Sequence, residues 1–182
     1  SQFMVREVID GFDLPPDKVH LVPNGVDVQR WRSERASGTG VDGVDGVDGQ
    51  PLVVAWGRIQ YEKGFQVLVS AMRELRSRSA GARCVIAGRG TYLPELQTHI
   101  DMEGVGDIVQ LAGFVPDGQL RELLQRAACV VIPSLYEPFG IVALEGMAAG
   151  APTVVARTGG LAEIVDGSGA GLLFEPGNHH DL

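Results

Sequence analysis

Apolar positions along this chain follow two alternating rhythms. Leu52 to Gly57, Ala82 to Gly88, Ile108 to Gly113, Cys129 to Pro133 and Pro152 to Ala156 are short, β-branched runs, apolar on consecutive positions and mostly ended by glycine or proline. Such runs predict strands buried on both faces, the mark of a parallel sheet. Gly171 to Phe174 adds a last short strand. Between the runs lie amphipathic stretches. Gly64 to Arg78 sets Phe65, Leu68, Val69, Met72 and Leu75 on one helical face, and Leu93 to Met102, Gln119 to Arg126, Ile141 to Ala149 and Leu161 to Val165 follow the same period. Strand and helix alternating at this spacing predict βαβ crossovers and an α/β fold, a Rossmann-like doubly wound parallel sheet.

Ahead of this pattern, Ser1 to Phe12 carries Phe3, Met4, Val8 and Ile9 at helical spacing and is closed by Pro15 and Pro16. His20 to Asp27 predicts a short strand, stopped by Pro23 and an Asn-Gly turn. A self-contained α/β domain would lead with its first strand. Residues 1–18 are therefore expected to be the end of a preceding domain or linker, and residues 19–182 the sheet domain. From Ser33 to Gln50 the apolar pattern disappears, and residues 40–49 repeat Gly-Val-Asp. So short a unit builds no core and does not match the nine-residue calcium repeat, so a flexible surface loop over 33–50 is expected.

Composition narrows the reading. The 182 residues, 45% of them hydrophobic, can bury a full core, and the 25 glycines mostly punctuate the ends of apolar runs. A formal net charge of −8 gives no general field for nucleic acid or anionic membrane, so any anion site must be local. No apolar run approaches the roughly 18 residues of a membrane span, and no start reads as a signal peptide, so a cytoplasmic location is the default. Cys84 and Cys129 open strand-like runs and read as buried thiols. The histidines show no zinc spacing with acids or thiols, and His179-His180 reads as a solvated pair.

In a doubly wound sheet the loops at the strand carboxyl ends converge, which here gathers Arg58 to Lys63, Gly88 to Gly90, Phe114 to Pro116, Ser134 to Gly140 and Arg157 to Gly160. Arg58 offers a planar fork and Lys63 a compact charge, a pair suited to a diphosphate or else simply paired with Glu62. The stretch from Ser134 to Gly150 joins a strand end to a helix start, where unpaired amides and the dipole suit a phosphate. Glu137 and Glu145 stand eight positions apart across it. They read either as a helix cap with a surface acid, or as ligand-facing carboxylates. Glu145 lies between Leu144 and Met147 on a helix with almost no polar face and needs hydrogen-bond partners. Gly-x-Gly-x-x-Gly is missing from the first strand-to-helix turn and a P-loop from the whole chain, which disfavours nicotinamide, flavin and P-loop nucleotide chemistry.

Taken together, Val22-Pro-Asn-Gly-Val-Asp27, Gly57-Arg58 with Lys63-Gly64, Gly88-x-Gly90, Gly113-Phe-Val115, Glu137-Pro-Phe-Gly-Ile-Val-Ala-Leu-Glu145, Ala148-Ala-Gly150 and Thr158-Gly-Gly160 carry a resemblance. Over nearly its whole length the chain resembles the C-terminal, donor-binding domain of GT-B glycosyltransferases, of the large retaining family that includes bacterial glycogen synthases, sucrose-phosphate synthases and mannosyltransferases. The resemblance implies transfer of a hexosyl group from a nucleotide diphosphate sugar to a carbohydrate or small-molecule acceptor. Arg58 and Lys63 would bind the diphosphate and stabilise the leaving nucleotide, and Glu137 would face the sugar hydroxyls. Phe139, Gly140 and Ile141 would offer amides to sugar and phosphate, and Glu145 would hold the ribose. Gly57, Gly88, Gly90, Phe114 and Val115 would complete the donor site around the base. No metal or other cofactor is implied, since two fixed cations face the leaving group. The acceptor, and any peripheral membrane contact, would belong to an N-terminal domain outside this chain, which alone would be inactive. A nucleotide-binding module without catalysis is the alternative from another class, and an epimerase of the same fold would not be expected to carry the glutamate-flanked helix.

Overall fold

The computed structural model describes residues 1–32, 49–78, 81–166 and 168–182. Most of the loop expected over 33–50, with its Gly-Val-Asp repeat, lies outside the described residues; Gly49 and Gln50 form a turn and bend.

Six strands, β1 (Leu52–Trp56), β2 (Arg83–Ala87), β3 (Val109–Gly113), β4 (Cys129–Ile132), β5 (Thr153–Ala156) and β6 (Leu172–Phe174), form one sheet in the order β3-β2-β1-β4-β5-β6. Every pairing is parallel. This is the doubly wound order, in which direction of growth reverses beside the first strand. Alternation along β1 explains the two layers. Leu52, Val54 and Trp56 join one core, beneath α5 (Asp117–Arg126), α6 (Ile141–Ala148) and α7 (Gly159–Asp166). Val53 and Ala55 join the other, beneath α3 (Phe65–Arg78) and α4 (Leu93–Glu103). Cys84 is buried and Cys129 partly so, and both thiols are free. Burial pushes both thiols above their ordinary range, so they behave as packing groups.

At the start of the chain, α1 (Gln2–Phe12) lies against α7. The Glu163 carboxylate accepts from the amides of Gln2 and Phe3 at 2.8 and 2.5 Å, and the Ser1 hydroxyl donates to the Pro138 carbonyl at 2.5 Å. A carboxylate at the first turn satisfies orphan donors and meets the positive end of the helix. The strand expected at 20–27 does not form. Residues 19–27 run without a ladder before the short α2 (Val28–Arg32), with Val22 79% exposed. Pro23 removes an amide, and a strand with no neighbour to pair with has nothing to satisfy its backbone.

Candidate functional site

The sheet reverses between β1 and β4, and the loops leaving those two strands are fastened together. The amides of Leu135 and Tyr136 donate to the carbonyl of Glu62 at 2.8 and 3.3 Å. Gly64 takes a left-handed φ of 68°, and a Cβ there would lie 1.9 Å from the Pro133 carbonyl oxygen. Only glycine fits so close an approach at that angle. The short 3₁₀ turn Tyr61–Lys63 is thus pressed against the β4 loop, and the Lys63 ammonium lies 2.7 Å from Glu137 Oε2. The Ser134 hydroxyl donates to the same oxygen at 3.4 Å. Lys63 therefore pairs with Glu137 and not with Glu62, whose backbone provides the fastening.

On the other side of β1 the loop meets the turn after β2. Gly57 donates to Ala87 at 3.0 Å and Ile59 to Arg89 at 2.8 Å. A Cβ on Gly88 would sit 1.8 Å from the Gly57 oxygen, and one on Gly90 1.9 Å from that of Ile59. Both glycines answer to the neighbouring backbone. Gly88 also borders the larger cavity described below, whereas Gly90 lines neither cavity.

Two cavities open along this edge. The smaller, about 260 Å³, is walled by Lys63, Phe65, Pro133, Ser134 and Glu137. The larger, about 550 Å³, is bordered by Gly88, Arg89, Phe114, Val115, Ile141 and Glu145, with Asp27, Arg30 and Trp31 from the N-terminal segment. Trp56, Gly57, Arg58 and Val142 border both. Arg58 is exposed at this junction, and its guanidinium makes no hydrogen bond or ion pair with the described residues. A guanidinium so placed is available to an anion spanning the two spaces.

Helix α6 comes close to the sheet because its inner face is small: Ala143, Gly146 and Ala148 are buried. A Cβ on Gly146 would lie 2.9 Å from Val130 and 3.1 Å from Trp56 side-chain atoms. That approach brings Glu145, half-buried, to the indole of Trp56, whose Nε1 donates to Oε2 at 3.3 Å. Desolvation raises the Glu145 pKa, and the nearby Asp117 carboxylate adds to the rise; the Trp56 hydrogen bond and Arg30 oppose it. Arg30 in turn ion-pairs with Asp117 across the rim. At the mouth, Phe114 is 63% exposed with the Arg89 guanidinium 5.5 Å from its ring centroid. A guanidinium and an exposed aromatic ring side by side offer a flat surface for a planar ring.

Not every expected residue converges here. Ile141 lines the larger cavity, and Gly140 is the left-handed N-cap of α6, its φ 84°. The Phe139 side chain borders a separate hollow of about 230 Å³ with Leu21, Gly160 and Ile164, whereas its amide, the group expected to serve the site, stands next to the N-cap of α6. Trp56, Arg30 and Asp117 are site neighbours outside the loops that pattern reading gathered, while Ser134 and Arg89 lay within those loops without an assigned role. Arg89 was legible, lying between two glycines of a candidate loop; Arg30 and Asp117 meet only through tertiary packing. His179 and His180 are also not simply solvated: both face Glu74 on α3, at 3.3 and 2.5 Å.

The sequence profile of the family glycosyl transferases group 1 matches residues 44–182. An uncharacterised glycosyltransferase of Methanocaldococcus jannaschii is 38% identical over 188 residues, covering 98% of this chain and 46% of that protein. The glycogen synthase of Mycobacterium tuberculosis is 34% identical over 177 residues, covering 97% and 41%. The D-inositol 3-phosphate glycosyltransferase of Corynebacterium jeikeium is 35% identical over 180 residues, covering 94% and 43%. The chain thus spans less than half the length of these relatives. Among solved structures, Anabaena HepE in complex with UDP and glucose superposes with a TM-score of 0.85 at 24% identity, over 100% of this chain and 49% of that one. Sucrose-phosphate synthase from Thermosynechococcus elongatus superposes with a TM-score of 0.67 at 29% identity, over 73% and 34%.

Proposed function

The chain belongs to the glycosyl transferases group 1 and has the GT-B half-fold, and from that premise we propose that it is the donor-binding half of a retaining glycosyltransferase. The enzyme moves a hexosyl group from a nucleotide diphosphate sugar to a carbohydrate or small-molecule acceptor. The observation that carries this reading is Arg58, an unpartnered guanidinium on the wall shared by the two cavities. A nucleotide sugar has the matching layout: a sugar and a nucleoside joined by two phosphates. In this reading the sugar occupies the smaller cavity, where Glu137 and Ser134 meet its hydroxyls, and the nucleoside occupies the larger one. Glu145 accepts from the ribose hydroxyls, and the base lies along Phe114, Val115 and Arg89. The first amides of α6 add donors near the diphosphate.

Bond cleavage at the anomeric carbon leaves negative charge on the departing nucleoside diphosphate. Arg58 and Lys63, held in place before the reaction, stabilise that charge, and no metal is assigned to the step. Lys63 has three donors and gives one to Glu137, so it can hold the sugar-facing carboxylate and a phosphate oxygen together. The HepE structure, which holds UDP and glucose, supports a nucleotide-sugar ligand for a chain of this fold. We take the acceptor wall to come from sequence outside these residues. The chain alone is then expected to bind donor without transferring sugar.

Calorimetry with UDP, GDP and ADP tests this. One nucleotide is expected to bind, and Arg58→Ala to weaken it at least about tenfold, as loss of a hydrogen bond to a charged group implies. Arg58 is exposed, so its removal leaves the fold intact. Equal binding by the variant would sink the diphosphate assignment.

A further inference from the structure

A second cluster of chemistry-bearing side chains lies away from both cavities. After β6 the chain makes a compact turn over residues 175–182, held by its own hydrogen bonds. Glu175 donates its amide to Asp181 at 2.7 Å, Asn178 to the Glu175 carbonyl at 3.0 Å, and His180 to the Asn178 side chain at 3.1 Å. Leu182 packs into the small core formed by Val67, Ala156 and Phe174. The turn is therefore seated against the protein, and it presents both of its imidazoles to one residue of α3.

His179 Nε2 lies 3.3 Å and His180 Nδ1 2.5 Å from the same oxygen of Glu74. The two rings are 4.1 Å apart between centroids and tilted by 38°. All three ligand atoms fall within 4.8 Å of one another. Around a tetrahedral ion with bonds of about 2.0–2.2 Å, ligand atoms stand about 3.4 Å apart. The separations of 3.3 and 2.5 Å, with none above 4.8 Å, bring the cluster within about 1.5 Å of that geometry, a shift that side-chain rotation supplies. Glu74 is half-buried, and its other oxygen is 3.9 Å from Arg78, which leaves the first oxygen to the imidazoles.

We propose that Glu74, His179 and His180 form a binding site for one late first-row divalent cation, of the zinc class, which clips the turn at 175–182 to helix α3. Two imidazoles and one carboxylate suit Zn²⁺, Ni²⁺ or Cu²⁺ and not the oxygen-seeking Mg²⁺ or Ca²⁺. Water completes the coordination, since the site opens to solvent. None of the three residues lines either cavity, so the ion has no part in the proposed transfer step and the site stands independently of it.

The test is calorimetric titration of the chain with ZnCl₂ in a non-chelating buffer, followed by Tm measured with and without the ion. Wild type is expected to take up one Zn²⁺ and to melt at a higher temperature when it is bound. Glu74→Gln is expected to weaken uptake at least as much as the 10–100-fold that loss of an outer-shell partner costs. The double variant His179→Ala, His180→Ala is expected to abolish it. Both sets of substitutions are solvent-accessible, and circular dichroism of the apo forms checks that the fold is kept. Co²⁺ in place of Zn²⁺ should give visible absorption in the wild type alone. Equal Zn²⁺ uptake by wild type and double variant, or none by either, would overturn the proposal.

Discussion

Glu137 lies at 7% exposure with an ammonium 2.7 Å away, whereas Glu145, on the same short stretch, meets a neutral indole N–H at 3.3 Å. Their surroundings diverge because each is placed by a different device. Glu137 is set by a loop fastened to the β1 loop, and Glu145 by a helix whose small inner face lets it settle on Trp56. Two identical side chains at a fixed spacing thus mark where a site is, and packing decides what each of them faces. A paired acid beside a cation is a different instrument from an acid whose charge is disfavoured by desolvation.

The largest way to break this contrast is to remove the ammonium. Lys63→Ala leaves a buried carboxylate without its cation, and the expected loss of stability is about 3–5 kcal/mol in urea unfolding. Adding Glu137→Gln to that variant should recover part of it, because the stranded charge is gone. A Lys63→Ala protein as stable as wild type would mean that the pair contributes nothing to the fold. Next in size is Gly64→Ala, which loosens the join between the two loops. Strain at φ 68° and the clash with Pro133 predict a loss of about 1–3 kcal/mol, with nucleotide binding weakened alongside. Unchanged thermal stability would show that the loops part without cost. The smallest effect sharpens the other side. Because the Glu145 pKa is raised in the folded protein, the native state holds more protons than the unfolded chain over the window from the ordinary 4.5 up to the raised value. Stability should fall as pH rises through that window, and Glu145→Gln should flatten this part of the curve. A pH profile identical in the two proteins would remove the desolvation argument.

Much of the fold was legible because a parallel sheet writes itself as runs of consecutive apolar residues with glycine at their ends. The expected strand at 20–27 failed for a reason of the same kind: Leu21 and Val22 look strand-like, but a ladder needs a partner and Pro23 takes away a donor. The edge of the site was legible too, as loops following strands. Its pairings were not. Lys63 meeting Glu137 depends on a backbone carbonyl of Glu62 catching two amides, and nothing in the identity of a glutamate announces that. Phe139 and Gly90 show the converse limit. Both belong to the motifs, yet one side chain turns to a separate hollow and the other position exists to let two loops touch. The adjacent imidazoles of His179 and His180 reach Glu74 from more than a hundred positions along the chain (179 against 74), so no spacing announces that cluster.

The interlock of the loops after β1 and β2 has a bearing on how this protein could be re-engineered. Where Gly88 admits the oxygen of Gly57, one stretch of the floor of the larger cavity is built of main chain, and that stretch owes its shape to backbone and not to a side chain. Arg89 and Phe114 stand on that floor as replaceable fittings. A library that randomises those two positions explores different occupants on an unchanged chassis, whereas one that randomises the glycines dismantles the chassis itself.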